Sequence, residues 1–546
     1  MSEPQHGIYG IDLGTTYSVV GYIDETGRPT VSRNSDGHDT TPSVVYFESA
    51  DNIVVGRVAK ETAGVFPDQV VSLIKREMGD RDWRREFFGK EYTPPAISAL
   101  ILSALARDAE MATGRPVTEA VITVPAYFGL LEKDATRRAG EIAGLKVIGI
   151  VPEPVAAALH YGVTGSADGT TFLVYDLGGG TFDISLIKMT ETSVEVLAVG
   201  GNHRLGGADW DEKLFDYLLD QLTEQWGDDS ARDDEQELQE LRTITEQTKK
   251  DLSKAESKKI IKRYSGTSAS VTVTRQQFEE MTAGLLEETI RITRRTLDDA
   301  EQRYPGIRDQ ISELLLVGGS SRMPAVAERL RKEFRWEPRL TDPDLAVAKG
   351  AALYAAGQTV RLVEPGEAVR EIADRTGIDE DKVRSLVGRT VVNVLPKAVG
   401  VKLVDTGKPG WKDDIEGACY IAHVVDAQTQ LPCGPRTLQP TTVVPNQQTV
   451  EIEIWEQAGA SPSRDLAANH RVDDAGLIEG LGPFQLPAGS PVDIEMSIDA
   501  EGTVRLRAVE PTSGKELRMN VRISVLSAEQ VEEAKAIHRG LTVGTS

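Results

Sequence analysis

The sequence predicts an α/β protein of two related lobes followed by an antiparallel β domain, and three observations carry that prediction. A strand–turn–strand pattern built on Asp-Leu-Gly occurs twice, about 160 residues apart. Helical and strand patterns alternate around and between the two copies, and after residue 390 the apolar period changes to two. At 546 residues the chain exceeds the ~250–300 residues that a single core sustains, so more than one domain is expected.

The first copy runs through Ile8, Tyr9 and Ile11, turns at 12–16, and returns through Val19, Val20 and Tyr22. The second runs through Phe172–Tyr175, turns at 176–181, and returns through Phe182, Ile184 and Leu186. Between them, Ala120–Pro125 reads as a strand, Leu130–Leu145 as a helix ending near Gly144, and Val147–Val151 as a strand leading into a helix through Ala156–Ala158. Residues 211–258 are helical and densely charged. The acids of 228–240 read as a solvated face. Leu314–Val317 is a strand entering Gly318-Gly319-Ser320-Ser321, and a helix covers about Leu345–Ala356.

Residues 361–390 are charged and read as two short helices around Thr376-Gly377. Their spacing, from Ile372 to Val383, is that of a helix-turn-helix. Asp379, Glu380 and Asp381 would face phosphates with the wrong sign, which favours a spacer or docking element over DNA binding. Strand alternation follows at Val450, Ile452 and Ile454, at Val492–Ile498, at Val504–Ala508 and at Met519–Ile523. Ser527-x-x-Gln530 is a capping box opening a helix of about three turns before Gly540.

A formal charge of −24 argues against nucleic acid or an anionic membrane as a general partner. No apolar run is long enough to span a bilayer, and the first residues lack the basic and apolar stretches of a secretory signal. Two cysteines, Cys419 and Cys433, fit a reducing compartment without disulfides, so a cytoplasmic location is expected.

A turn that grips phosphate needs glycine for close approach of backbone N–H groups, hydroxyls as neutral donors, and a carboxylate for the hydrated Mg2+ that accompanies ATP. Asp12-Leu13-Gly14-Thr15-Thr16 and Asp176-Leu177-Gly178-Gly179-Gly180-Thr181 each hold all three. One such segment alone is an ordinary reverse turn, because Asp and Gly are common turn residues. Two copies with matching strands point to a sandwiched phosphate chain, with Asp12 and Asp176 on the metal side. The Gly318–Ser321 junction fits either nucleotide binding at a helix start or a tight turn. No Ser-His-Asp set and no metal-ligand spacing of Cys and His compete with this chemistry.

The segments GIDLGTTYSVVGY, AVITVPAYF, PEPVAAALHYG, VYDLGGGTFDISL, LGGADWD, LLLVGGSSRMP and DPDLAVAKGAAL occur in this order. They closely resemble the ATPase domain of the 70-kDa heat-shock chaperones, within the actin and hexokinase-like superfamily. The resemblance is nearly continuous over 7–358 and looser over 391–525. It implies an actin-like, two-lobed ATPase domain of duplicated ribonuclease-H-like halves at 1–358, an extended helical linker at 359–390, a β-sandwich of the peptide-binding type at 391–526, and a short helical tail at 527–546.

By the same resemblance, Gly14, Thr15, Thr16 and Tyr17 form the first phosphate loop and Gly178, Gly179, Gly180 and Thr181 the second. Asp12 and Asp176 flank Mg2+ and the attacking water. Asp183 is an accessory ion site, for which K+ is the candidate beside Mg2+. Lys75, in SLIKREMG, is the lysine that orients the water; from sequence alone it reads as a surface lysine. Glu153 acts on the same water; alone it reads as a helix N-terminal acid. Glu246, Lys249, Lys250 and Ser253 embrace adenine and ribose, with Gly319, Ser320, Arg322 and Asp344 opposite. The first four share one helical stripe, which would equally suit a salt-bridged surface. Val450, and Ile452 beside it, match the floor of the family's peptide pocket, or are core residues of a β domain.

The function implied is an ATP-dependent chaperone that hydrolyses ATP to ADP and phosphate to control binding of unfolded or extended polypeptides. Its expected helpers are a J-domain co-chaperone and a nucleotide-exchange factor, and the family context is the stress response. The second reading is a nucleotide-switched interaction protein with one dedicated partner; a small-molecule kinase or an actin-like filament does not explain the β domain. The sequence departs from the family in three places. Arg389-Thr390-Val391-Val392-Asn393-Val394 replaces an acid-bearing linker, residues 405–440 align poorly, and a chain stopping at Ser546 leaves no room for a long helical lid. Weak, short-lived client binding is therefore expected.

Overall fold

Each Asp-Leu-Gly turn reverses a buried apolar strand onto its neighbour, and both lobes grow outward from that hairpin. The computed structural model describes residues 7–164, 169–190, 192–340, 342–361, 369–370, 380, 390–459, 461–472, 475–521 and 524–545. Lobe I contains β1 (Tyr9–Asp12), β2 (Tyr17–Ile23), β3 (Pro29–Val31), β4 (Thr41–Pro42), β5 (Val45–Phe47), β6 (Asn52–Val55), α1 (Arg57–Thr62), β7 (Val70–Val71), β8 (Arg85–Phe87), β9 (Lys90–Tyr92), α2 (Pro94–Thr113), β10 (Glu119–Val124), α3 (Leu130–Ile142), β11 (Lys146–Pro152) and α4 (Glu153–Thr164). Lobe II contains β12 (Thr171–Leu177), β13 (Phe182–Met189), β14 (Ser193–Asn202), α5 (Gly207–Trp226), α6 (Glu235–Leu252), β15 (Ser257–Tyr264), β16 (Thr267–Thr274), α7 (Arg275–Arg303), β17 (Ile311–Val317), α8 (Pro324–Phe334), β18 (Pro338–Leu340) and α9 (Ala346–Arg361).

The duplication appears in the sheets. Lobe I orders its strands β11-β10-β1-β2-β3 and lobe II orders them β18-β17-β12-β13-β14, with the same parallel and antiparallel pairings about β1 and β12. The α4 and α9 helices pack together between the sheets, and small residues set how closely. A methyl group at Gly350 would overlap the Ala156 carbonyl, and one at Gly10 the backbone of Ala351 and Ala352, so only glycine fits at these two crossings.

After lobe II the chain re-emerges at β19 (Thr390–Val392), then forms β20 (Val399–Val404), β21 (Cys419–Val425), β22 (Cys433–Leu438), β23 (Val450–Ile452), β24 (Ile454–Gln457), β25 (Asn469–Arg471), β26 (Gly476–Ile478), β27 (Asp493–Ile498), β28 (Val504–Glu510), β29 (Lys515–Val521), α10 (Ala528–Arg539) and β30 (Thr542–Gly544). Strands β20 to β29 pair antiparallel throughout, in the sheets β21-β20-β24-β25, β22-β27-β28-β29 and β23-β26. Two elements depart from the expected division. Thr390–Val392 adds in parallel to the β14 edge of lobe II instead of opening the β domain. The tail continues past its helix into a strand that pairs with β6 of lobe I. The Ser527/Gln530 capping box is present, and both cysteines are free. The helix-turn-helix spacing of 372–383 lies outside the described residues, apart from Glu380.

The β domain sits directly on lobe I, and one apolar core runs from Ile122, Phe128 and Leu130 into Val399, Ile454 and Leu506. Charge is buried along this seam. Lys397 pairs with Glu132, and the Glu456 carboxylate accepts the Leu130 N–H at 2.8 Å. A methyl group at Gly129 would strike the Glu456 carboxylate. Arg81 donates to the carbonyls of Val472 (2.5 Å) and Ser524 (2.7 Å). Burial lifts Glu456 to about 7 and lowers Lys133 to about 8. Burial acts to raise Glu132 too, but Lys397 holds it below the usual carboxylate range.

Candidate functional site

The two glycine turns face each other across the gap between the lobes. A methyl group at Gly179 would overlap Thr16 Oγ1, and one at Gly180 would overlap the Thr15 side chain, so the loops interlock at glycine. Hydroxyls brace the first loop: Ser18 Oγ accepts the Gly14 N–H at 3.2 Å, and Ser43 Oγ donates to the Gly14 carbonyl at 2.8 Å. The second loop is stapled to the start of α5, whose Gly207 and Ala208 amides donate to the carbonyls of Gly178 (2.9 Å) and Gly179 (2.7 Å).

Lys75 is buried, 4% exposed, and its ammonium lies 2.5 Å from Glu153 Oε1 at the start of α4. It reaches inward from a 3-10 turn, Ile74–Glu77, entered through Leu73 at φ +58°, a left-handed conformation that is strained for leucine. Asp12 closes β1, where Thr123 donates to it at 2.8 Å. Burial and the neighbouring Glu153 carboxylate push Asp12 up to about 7, against the pull of Lys75. Asp176 is raised well above the usual range by burial, Glu153 and Asp12, and Asp183 by burial, Glu153 and Asp176. Asp183 also accepts the N–H of Ala126 at 2.9 Å.

Four carboxylates thus surround one lysine, an excess of negative charge that a cation would relieve. Among the described residues no three such side chains converge into a ready-made metal cage. The carboxylates instead ring the gap, which suits Mg2+ arriving with waters and phosphate oxygens as its other ligands.

The residues expected around a nucleoside fall into two groups. Glu246 faces lobe I, bridging to Lys60 at 2.5 Å, to Lys250 at 2.7 Å and to the Tyr17 hydroxyl at 3.1 Å. Burial acts to raise Glu246, but Lys60 and Lys250 hold it at about 2. Lys249 turns the other way, donating to the Gly207 carbonyl and to Asp211, both at 2.7 Å. Opposite, Arg322 pairs with Asp344 at 2.5 Å, and a Cβ on Gly319 would stand 3.1 Å from Asp344. Ser320 is buried beside Gly207. Ser253 lines a small cavity with Trp210, Leu252, Arg275, Phe278 and Met323, next to Gly319–Arg322.

Sequence reasoning passed over four contributors. Arg76 donates from lobe I to the Gly180 carbonyl at 2.9 Å and to Asp209 at 2.7 Å, gripping the second loop from across the gap. Lys60, Thr123 and Asp211 join it. Arg76 adjoins Lys75, and Asp209 and Asp211 lie within LGGADWD; Lys60 has no signal short of the fold. In the β domain, Ile452 is 3% exposed and takes the core reading, whereas Val450 is half-buried and pairs with Ile478, next to the exposed Leu477.

A family model described as Hsp70 protein matches residues 8–372, about two thirds of the chain. The match covers both lobes and both glycine turns and ends before the antiparallel strands begin. No helix among the described residues is long and apolar enough to cross a membrane.

Proposed function

The chain belongs to the Hsp70 protein family, and on that premise we propose that it hydrolyses Mg-ATP between its lobes and uses the cycle to control binding of an extended polypeptide. The family is an ATPase family that binds ATP and ADP with Mg2+, unfolded polypeptides and co-chaperones. The observation that carries the proposal for this chain is the interlocked pair of loops closing on the buried Lys75–Glu153 pair.

In this reading the loops Gly14–Tyr17 and Gly178–Thr181 hold the β- and γ-phosphates, with the Thr181 hydroxyl at their edge. Asp12 and Asp176 would hold Mg2+, which would supply charge neutralisation to the phosphates, and Asp183 an accessory ion such as K+. Lys75 and Glu153 orient the attacking water, as phosphoryl transfer asks for positioning more than covalent chemistry. Glu246, Lys250 and Ser253 close on ribose and adenine from α6, with Gly319, Ser320, Arg322 and Asp344 opposite, while Lys249 sets the start of α5.

We divide the chain accordingly into a nucleotide domain (1–358), a linker (359–390), a peptide-binding β domain (391–526) with Val450 at its floor, and a tail (527–546). The second reading, a nucleotide-switched protein with one dedicated partner, is favoured by the broad seam that fixes the β domain to lobe I. Steady-state ATP turnover tests the site. Lys75→Ala is expected to lose roughly 10²–10³-fold in kcat, the scale of one electrostatic stabiliser, and a wild-type rate would refute the assignment. Stimulation of turnover by an extended apolar peptide supports the chaperone reading, and indifference to it supports the switch.

A further inference from the structure

After β29 the chain leaves the β domain and returns to lobe I. Ser524 lies on the seam, its carbonyl held by Arg81 and its hydroxyl donating to Asp134 at 2.8 Å. Leu526 and Val531 pack on Ala99 and Ile142, and His538 Nε2 meets Ser103 Oγ at 2.8 Å. Then β30 joins the outer edge of β6 in parallel, with Thr542, Val543 and Gly544 opposite Asn52, Ile53 and Val54. The Thr542 N–H donates to the Asp51 carbonyl at 2.8 Å. Val543 is 9% exposed and Thr545 7%. The Thr545 hydroxyl stands 2.7 Å from Ser35 Oγ and donates at 3.2 Å to Asp108, whose other oxygen is buried with no hydrogen-bond partner among the described residues.

Without β30, the sheet β6-β5-β7 would present β6 as an open edge, a row of backbone donors and acceptors that extended peptides pair with. The β domain is moreover held at both ends of its chain. It enters through β19, paired to lobe II, and leaves through β30, paired to lobe I.

We propose that the outer edge of β6 is a strand-acceptor site, filled in cis by Leu541–Thr545, and that this pairing latches the β domain onto lobe I. Freed at that end, the β domain would be held to lobe I by the seam and the α10 packing without the strand pairing, and the seam would open more often. The ligand class is an extended segment with an apolar centre and a hydroxyl able to reach Ser35 and Asp108. This inference does not depend on ATP hydrolysis.

The test uses the full chain in a background with Cys419 and Cys433 replaced by serine. The pair Ser35→Cys/Thr545→Cys places two sulfurs where the oxygens now lie 2.7 Å apart, and oxidation should yield a disulfide within one molecule. Thr542→Pro removes the first strand donor. Hydrogen exchange read by mass spectrometry should then rise about tenfold or more at 52–55, and likewise at Leu130 on the seam, the loss expected for one or more strand hydrogen bonds. The oxidised cysteine pair should slow both regions. Unchanged exchange at Leu130 in Thr542→Pro would overturn the latch, and disulfides formed only between two molecules would show that a second copy fills the edge. Because the cross-link needs no destabilised variant, the proposal stays testable even if Thr542→Pro folds poorly.

Discussion

Lobe I meets two partners, and the two contacts are built from different material. Across the gap to lobe II the bridges are open to water: the side chains of Lys60 and Glu246 are 33% and 22% exposed. On the other side, against the β domain, Glu456 is fully buried, and the side chains of Lys397 and Glu132 are 13% and 16% exposed. Half-exposed pairs are screened and cheap to break, so the nucleotide gap can open and reclose. Buried charges are costly whenever a partner is lost, so the seam is either fully made or absent. The molecule thus has one graded contact and one all-or-none contact on the same lobe.

The largest effect should come from breaking the seam. Lys397→Ala strands Glu132 and Glu456 without their shared cation and is expected to cost about 3–5 kcal/mol, the range for removing one partner of a buried pair. Denaturant unfolding followed by hydrogen exchange at Leu130 reads it. If Lys397→Ala cost no more than removal of a rim lysine, the contrast between the two contacts would collapse.

Acidity should grade the same seam. Glu456 has a docked pKa of about 7, above the ordinary carboxylate value, so the docked state binds its proton more tightly. Its contribution is fully present below about pH 4.5 and is lost as pH rises through 7, at most about 3 kcal/mol at 1.4 kcal/mol per pKa unit. Lys133, lowered to about 8, keeps its charge through that window and begins to relax only above it. His470 and His203, both lowered by burial, act with the opposite sign, taking up protons and destabilising the seam as pH falls. The protection of the Leu130 amide, corrected for the base-catalysed intrinsic rate, should therefore fall from pH 5 to 7.5, and Glu456→Gln should flatten the profile.

How much of this was legible in the sequence differs between the two contacts for the same physical reason. The nucleotide gap is made of local turns, whose glycines and carboxylates announce themselves within six residues. Asp12, Gly14, Asp176 and Thr181 all lie in or beside the two facing turns. The seam pairs Glu132 with Lys397 and Leu130 with Glu456, residues hundreds of positions apart whose identities as lysine and glutamate fit any solvated surface. Period-two alternation located β27 and β28 but could not tell that Val450–Ile452 and Ile454–Gln457, one alternating run, divide between two sheets at Glu453. It also left Val391 and Val392 with the β domain and Thr390 with the linker, because three β-branched residues say strand without saying whose.

Arg76 ranks next. Its guanidinium reaches from lobe I to Gly180 and Asp209 and is 14% exposed, and its partner Asp209 is 28% exposed. Arg76→Ala should cost about 1.5–3 kcal/mol, the range for hydrogen bonds to charged groups. The loss should appear as weaker ATP binding, because the contact shapes the phosphate loop before any bond changes. A fall in kcat with KM unchanged would place Arg76 in the transition state instead.

The smallest effect belongs to the rim itself. Lys60→Ala removes a half-exposed bridge to Glu246, worth about 0.2–1 kcal/mol, so nucleotide release should quicken by no more than about fivefold. Lys250 still neutralises Glu246 in that variant, which limits the loss further. Salt gives the sharper reading. Raising ionic strength from 0.1 to 1 M shortens the screening length from about 10 to 3 Å, so wild-type release should approach that of Lys60→Ala while exchange at Leu130 stays nearly unchanged. Equal salt sensitivity at both places would mean that the seam is as open to water as the gap, and that lobe I holds its two partners in the same way.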